Sequence, residues 1–202
     1  MRARGITRLG ALVVLAGALA LGGLGTSAAH AKERYEIDGA HSFVLFGIGH
    51  FNAGKVWGRF NKISGELVFI PDRIEAGGDV RIEIDAASID TGVAKRDEHL
   101  RSPDFFNVKQ FPKITFEGGK VSKVEGGTLQ LTGKLSLHGV TKEITVPVRM
   151  LGRATDPRGD VRVGFEARFV IDRDAFGISY MPDAIGKQVE LIVAIEAVRK
   201  QG

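Results

Sequence analysis

Of 202 residues, 28 are Lys or Arg, 24 are Asp or Glu, and none is Cys. The lack of Cys excludes disulfide staples, thiol redox chemistry and thiolate metal sites. Three of the basic residues (Arg2, Arg4, Arg8) and no acidic ones precede Lys32; taking three from 28 leaves 25 basic against 24 acidic side chains over 32–202. So balanced a chain carries no charge signature of nucleic acid or of an anionic surface as partner, and its length suits one domain with a sizeable core.

In chain order, the first element reads as an export signal. Arg2, Arg4 and Arg8 form a basic start, Leu9 to Leu24 an apolar run, and Ala29-His30-Ala31 the small-residue pattern that signal peptidase accepts. The apolar run has 16 residues, short of the roughly 20 that span a bilayer. The expectation is a cleavable signal peptide over 1–31, cut after Ala31, and a periplasmic domain over 32–202; the alternative is a retained N-terminal anchor.

The rest reads as β-structure. Val80, Ile82 and Ile84 alternate with charged residues. Leu129, Leu131, Leu135 and Leu137, then Ile144, Val146 and Val148, then Val163, Phe165, Ala167 and Phe169, and last Val189, Leu191, Val193 and Ile195 repeat the alternation, with mostly polar, charged or small residues between them. Period-two alternation marks strands with one buried and one wet face. Turn signals such as Gly77-Gly78, Gly126-Gly127 and His138-Gly139 separate them. Eight strands are predicted, near 42–50, 55–69, 79–85, 113–124, 128–138, 143–151, 160–172 and 188–198, the second bent near Asn61 to Gly65. Long strands joined by short turns favour an all-β fold, an eight-stranded antiparallel barrel without exposed edges; a β-sandwich is the alternative.

Val93 to Asn107 breaks the pattern. Ala94, Glu98 and Leu100 have helical spacing, Asp90 or Thr91 can cap, and Pro103 begins a second turn that carries Phe105 and Phe106. This reads as a short helical lid segment over 93–107. The first strand is apolar on both faces, Phe43 and Leu45 on one, Val44, Phe46 and Ile48 on the other, with His50 at the end. The lid segment is expected to cover its outer face. His50 reads as a core histidine bonded to backbone or as a ligand contact. Phe51, Trp57, Phe60, Phe105, Phe106, Phe111, Phe176 and Tyr180 fall where a barrel mouth would lie, as a packed plug or as the lining of an apolar cavity.

Catalytic and metal-binding patterns are missing. No G-x-S-x-G or H-E-x-x-H occurs. Asp97 and His99, two apart on a helix, diverge, so a dyad is not expected; they remain the first suspects for an enzyme acting on a lipid in the same cavity. A third reading is an envelope-stress protein with a packed barrel acting through its surface.

The ordered motifs resemble the YceI-like family, periplasmic proteins with a lipocalin-like barrel that bind polyisoprenoids and related amphiphiles. They are Tyr35-x-Ile37-Asp38-x-x-His41-Ser42, Gly58-x-Phe60, Gly65-x-Leu67-x-Phe69, Ser88-Ile89-Asp90-Thr91-Gly92, Arg96-Asp97-x-His99-Leu100, Phe111-Pro112-x-Ile114-x-Phe116, Leu137-His138-Gly139-Val140-Thr141-Lys142 and Asp172-Arg173-x-Ala175-Phe176-Gly177. The match runs from about Tyr35 to Val198, and Asn52 to Trp57 departs from the family form. The resemblance implies a non-enzymatic binding or carrier protein holding an isoprenoid lipid or quinone tail. It implies no metal and no cofactor, and a membrane only as the source of lipid; a homodimer is admitted but not required. The candidate ligand-binding residues are Val44, Phe46, Ile48, His50, Phe60, Arg96, Asp97, His99, Phe105, Phe106, Phe116 and Phe176.

Overall fold

The computed structural model describes residues 31–123 and 125–200. The expected export signal, apart from Ala31, lies outside them. Among these residues, eleven strand segments and one α-helix occur in the order β1 (Glu33–Ile37), β2 (Phe43–His50), β3 (Gly54–Phe60), β4 (Ile63–Phe69), β5 (Gly78–Asp85), β6 (Ile89–Asp90), α1 (Ala94–Arg101), β7 (Lys113–Lys123), β8 (Thr128–Leu137), β9 (Val140–Thr155), β10 (Val161–Asp172) and β11 (Ile185–Arg199), with short 3-10 turns between some of them.

Three pairs of segments are broken strands. β1 and β2 both lie antiparallel on β11, with Tyr35 opposite Arg199 and Val44 opposite Val193. β4 pairs with β1 while β3 pairs with β2. β5 pairs with β4, and β6 carries the same stave on against β3. The segments therefore form eight staves, and the ring closes where β11 meets β1. Closure excludes the sandwich and leaves no strand as the outer edge of a sheet.

Local chemistry explains the breaks. Asp38 turns the chain between β1 and β2: its carboxylate accepts the Ala40 N–H at 3.0 Å. Ser42 then hooks the corner to β11, accepting the Glu196 N–H and donating to the Glu196 carbonyl. Between β3 and β4, the Asn61 N–H reaches the Ser88 carbonyl and the Lys62 N–H reaches Ser88 Oγ. Gly65 sits at φ +145° against β5, where a Cβ would collide with the Arg81 carbonyl. Only glycine lets β4 and β5 approach there.

The predicted strands are present, with four corrections. β1 lies upstream of the expected first strand, and β9 runs on to Thr155, beyond 151. The helix begins at Val93 with no side-chain cap, so neither Asp90 nor Thr91 caps it. The lid does not cover the outer face of β2: Phe43 is 44% exposed, and the Trp57 ring lies over Gly47 on that face instead. α1 sits beside β6, at the end of the barrel where β2, β7 and β10 meet the loops.

Candidate functional site

Alternation turns one face of every stave inward. Val44, Phe46 and Ile48 of β2, Val80, Ile82 and Ile84 of β5, Ile144, Val146 and Val148 of β9, and Leu191, Val193 and Ile195 of β11 surround one cavity of about 430 Å³. That volume lies within the roughly 300–1,000 Å³ of small-molecule sites. The barrel is thus not packed solid. At the far end Phe69 and Phe165 close it, their rings 5.8 Å apart, with Tyr35 stacked on Phe69 at 5.1 Å.

The near end is the mouth. Phe46, Phe60 and Phe106 form a chain of ring contacts at 5.7 and 5.6 Å. Phe105 packs edge-on to Tyr180 and His99, and Tyr180 also meets His99. Polar bonds hold the lid above them. Asp97, nearly fully buried, accepts from both the backbone N–H and the hydroxyl of Thr91. Arg96 donates from Nε to Thr91 Oγ1 at 2.7 Å and from Nη2 to the Thr91 carbonyl at 2.9 Å. Arg101 donates to the carbonyls of Ala87 and Ile89.

Arg173, 4% exposed, organises the opposite rim. Its guanidinium donates to the carbonyls of Ile178, Tyr180, Ile185 and Gly186, all at 2.9–3.0 Å. These four bonds satisfy a buried cation without a carboxylate. His50, Thr91, Arg96, His99 and Arg173 near the mouth and Glu166 on β10 are the polar residues on an otherwise apolar lining.

Of the twelve candidate residues, ten line the cavity: Val44, Phe46, Ile48, His50, Phe60, Arg96, His99, Phe105, Phe106 and Phe116. Asp97 and Phe176 do not. Asp97 turns Oδ1 to both Thr91 donors, and Phe176, 2% exposed, packs in the core. His50 is exposed, edge-on to Phe51, and is no core histidine. His99 pairs with Asp104 at 2.8 Å, not with Asp97. Phe51 and Trp57 are 60% and 49% exposed and lie outside the cavity. Sequence reasoning missed Thr91, Arg173, Ile178 and Met181 as lining residues. Their one signal was the position of Thr91 and Arg173 inside the quoted motifs.

A second polar cluster lies on the wall. Ligand atoms of Asp38, His41 and Glu196 lie within 4.8 Å of one another. Arg162 Nη1 already bonds both carboxylates, at 2.9 and 2.6 Å, and its Nε bonds Asp156 at 2.9 Å. Hydrogen bonds from Arg162, then from His41, hold the Asp38 carboxyl at about 2; Arg162 does the same for Asp156, also about 2. This cluster rivets the β1–β2 corner to β10, β11 and the β9–β10 turn.

These features define a lipocalin-like barrel built around an apolar cavity with a lid at one end. A YceI-like domain is matched over residues 35–197, and the chain belongs to that family. A UPF0312 protein of Pseudomonas paraeruginosa is 38% identical, over 91% of this chain and 96% of its own length. A Campylobacter jejuni YceI protein superposes with a TM-score of 0.67 at 29% identity, covering 76% of this chain and 90% of that one. A polyisoprenoid binding domain from Saccharophagus degradans shares the fold, with a TM-score of 0.64 at 17% identity over 82% of this chain and 98% of its own.

Proposed function

We propose that this protein is exported to the periplasm, where it holds one long apolar chain, an isoprenoid lipid or quinone tail drawn from the membrane, and carries or buffers it. The observation that carries this reading is the barrel cavity: almost wholly apolar from floor to lid, with most of its polar side chains gathered at the mouth. Burial of each CH₂ contributes roughly 0.8 kcal/mol, so a chain filling the shaft binds without any charged contact. The fold shared with a domain described as polyisoprenoid binding supports the ligand class.

Binding, not turnover, is the role proposed. Asp97, Thr91 and Arg173 are committed to bonds that hold the mouth together. The test is native mass spectrometry of the protein purified from a bacterial envelope without detergent. A co-purified neutral or weakly polar lipid is expected. Protein that arrives empty and fails to take up a long-chain quinone would refute the reading.

A further inference from the structure

The barrel wall is not hydrogen-bonded all the way round. β9 and β10 pair from the Thr155–Val161 turn up to Val148 opposite Ala167, and there the ladder stops. Above it, Val140–Val146 pair with β8 alone and Arg168–Asp172 with β11 alone. At about 3.3 Å per residue, the five residues 168–172 leave an unpaired slit about 16 Å tall.

A proline explains where the ladder stops. The two-residue turn His138-Gly139 has both φ angles positive, 52° and 77°. Such a turn makes its flanking residues, Leu137 and Val140, a hydrogen-bonded pair. Register then runs unbroken from that pair to Thr128 opposite Arg149. Alternation makes Gln130 and Pro147 a non-bonded pair, so the nitrogen of residue 147 faces β10. The next bonded pair of the β9–β10 ladder would be Pro147 with Arg168, and proline has no N–H to give.

The cavity reaches the slit. Phe165, Ala167, Phe169 and Ile171 face inward on β10, yet outward Glu166 also borders the cavity, at the height where pairing ends. Arg149 and Arg168 both bond Glu166, at 3.5 and 3.1 Å, and mark the lower corner. His138 Nδ1 meets the Phe176 carbonyl at 3.2 Å and marks the upper one. Beside the slit Val170 is 52% exposed.

We propose that the slit between β9 and β10 is a lateral portal through which an apolar chain slides sideways into the barrel. This rests on the binding role proposed above. At the mouth, Asp97, Arg96 and Arg101 tie the lid down by side-chain hydrogen bonds. Uptake through the slit breaks no ladder, because none joins the two strands there, and displaces inward side chains such as Ile144, Val146, Phe169 and Ile171.

The chain has no Cys, so added thiols are unique. Thr145→Cys and Val170→Cys face outward on the two lips, opposite each other if the register of β9 and β10 is continued. Bridging them with a bifunctional maleimide is expected to slow uptake of cis-parinaric acid, a fluorescent C18 polyene, at least tenfold relative to the unbridged double variant. Final occupancy should change less than twofold. Pro147→Val restores the N–H; added amide protection over 168–172 and slower uptake are expected. Unchanged uptake rates in the bridged protein, or in Pro147→Val once those amides are protected, would overturn the portal alone. Parent protein that takes up no probe would overturn the binding role, and the portal with it.

Discussion

Replacing Asp97 by Ala should loosen the lid without touching the cavity lining. Asp97 is 6% exposed and accepts two hydrogen bonds from Thr91, one of them from its backbone N–H at 2.9 Å. Bonds to a charged acceptor contribute about 1.5–3 kcal/mol each, and the same substitution leaves the Thr91 N–H without its partner. Partial relaxation and water access reduce the sum, so a loss of about 3 kcal/mol is expected. For a domain of this size each kcal/mol lowers the melting temperature by about 2–4 °C, giving a drop of about 6–12 °C. Asp97→Asn keeps an oxygen that can accept both bonds but gives up the charge, and should lose about half as much. Thermal unfolding followed by circular dichroism reads the global term, and amide exchange over 91–101 reads the lid. A shift under 1 °C in Asp97→Ala with unchanged exchange would refute the latch.

Three further outcomes follow from the same contacts. Asp38 and Asp156, both held at about 2, stabilise the fold above the ordinary carboxylate value of 3.8, and that contribution is lost as pH falls through about 2; in Arg162→Met, which lacks their common partner, acid unfolding should begin at higher pH, and an identical acid curve would contradict the rivet. Val193→Phe projects a ring between Val44 and Ala167 into the shaft, so fluorescence titration should show at least tenfold weaker binding of a long isoprenoid in a protein that melts no lower than the parent. Gly65→Ala places a methyl against the Arg81 carbonyl and holds alanine at φ +145°, so denaturant titration should show a loss of about 2 kcal/mol or more.

The regular half of the barrel was legible because its physics is local. From β7 to β11, alternate residues face a dry interior and water, and that contrast is written in the sequence with period two. The broken staves were harder to read. β1 has only Tyr35 and Ile37 to announce it, and its partners β4 and β11 lie far away in sequence. The inward strip Val44, Phe46 and Ile48 was readable by parity, as were most of the lining aromatics. The outer face of β2 was misassigned because an exposed Phe43 and a Trp57 ring resting on a glycine leave no periodic trace. Asp97 and His99 looked alike as polar lid residues. One is buried as a latch and the other faces the mouth beside Asp104, a distinction set by tertiary partners. The slit was present in the sequence as a proline inside an otherwise regular strand. Its meaning needed the register, which tells which neighbour the missing N–H would have met.

The central claim, that the cavity exists to hold a long apolar chain, is tested most directly by affinity against chain length. Isoprenoid alcohols of increasing length can be titrated by displacement of a fluorescent polyene. At roughly 0.8 kcal/mol per buried CH₂, affinity should rise at least tenfold with each added isoprene unit until the shaft is full, and then level off. An affinity that is flat with length, or no displacement at any length, would contradict the account.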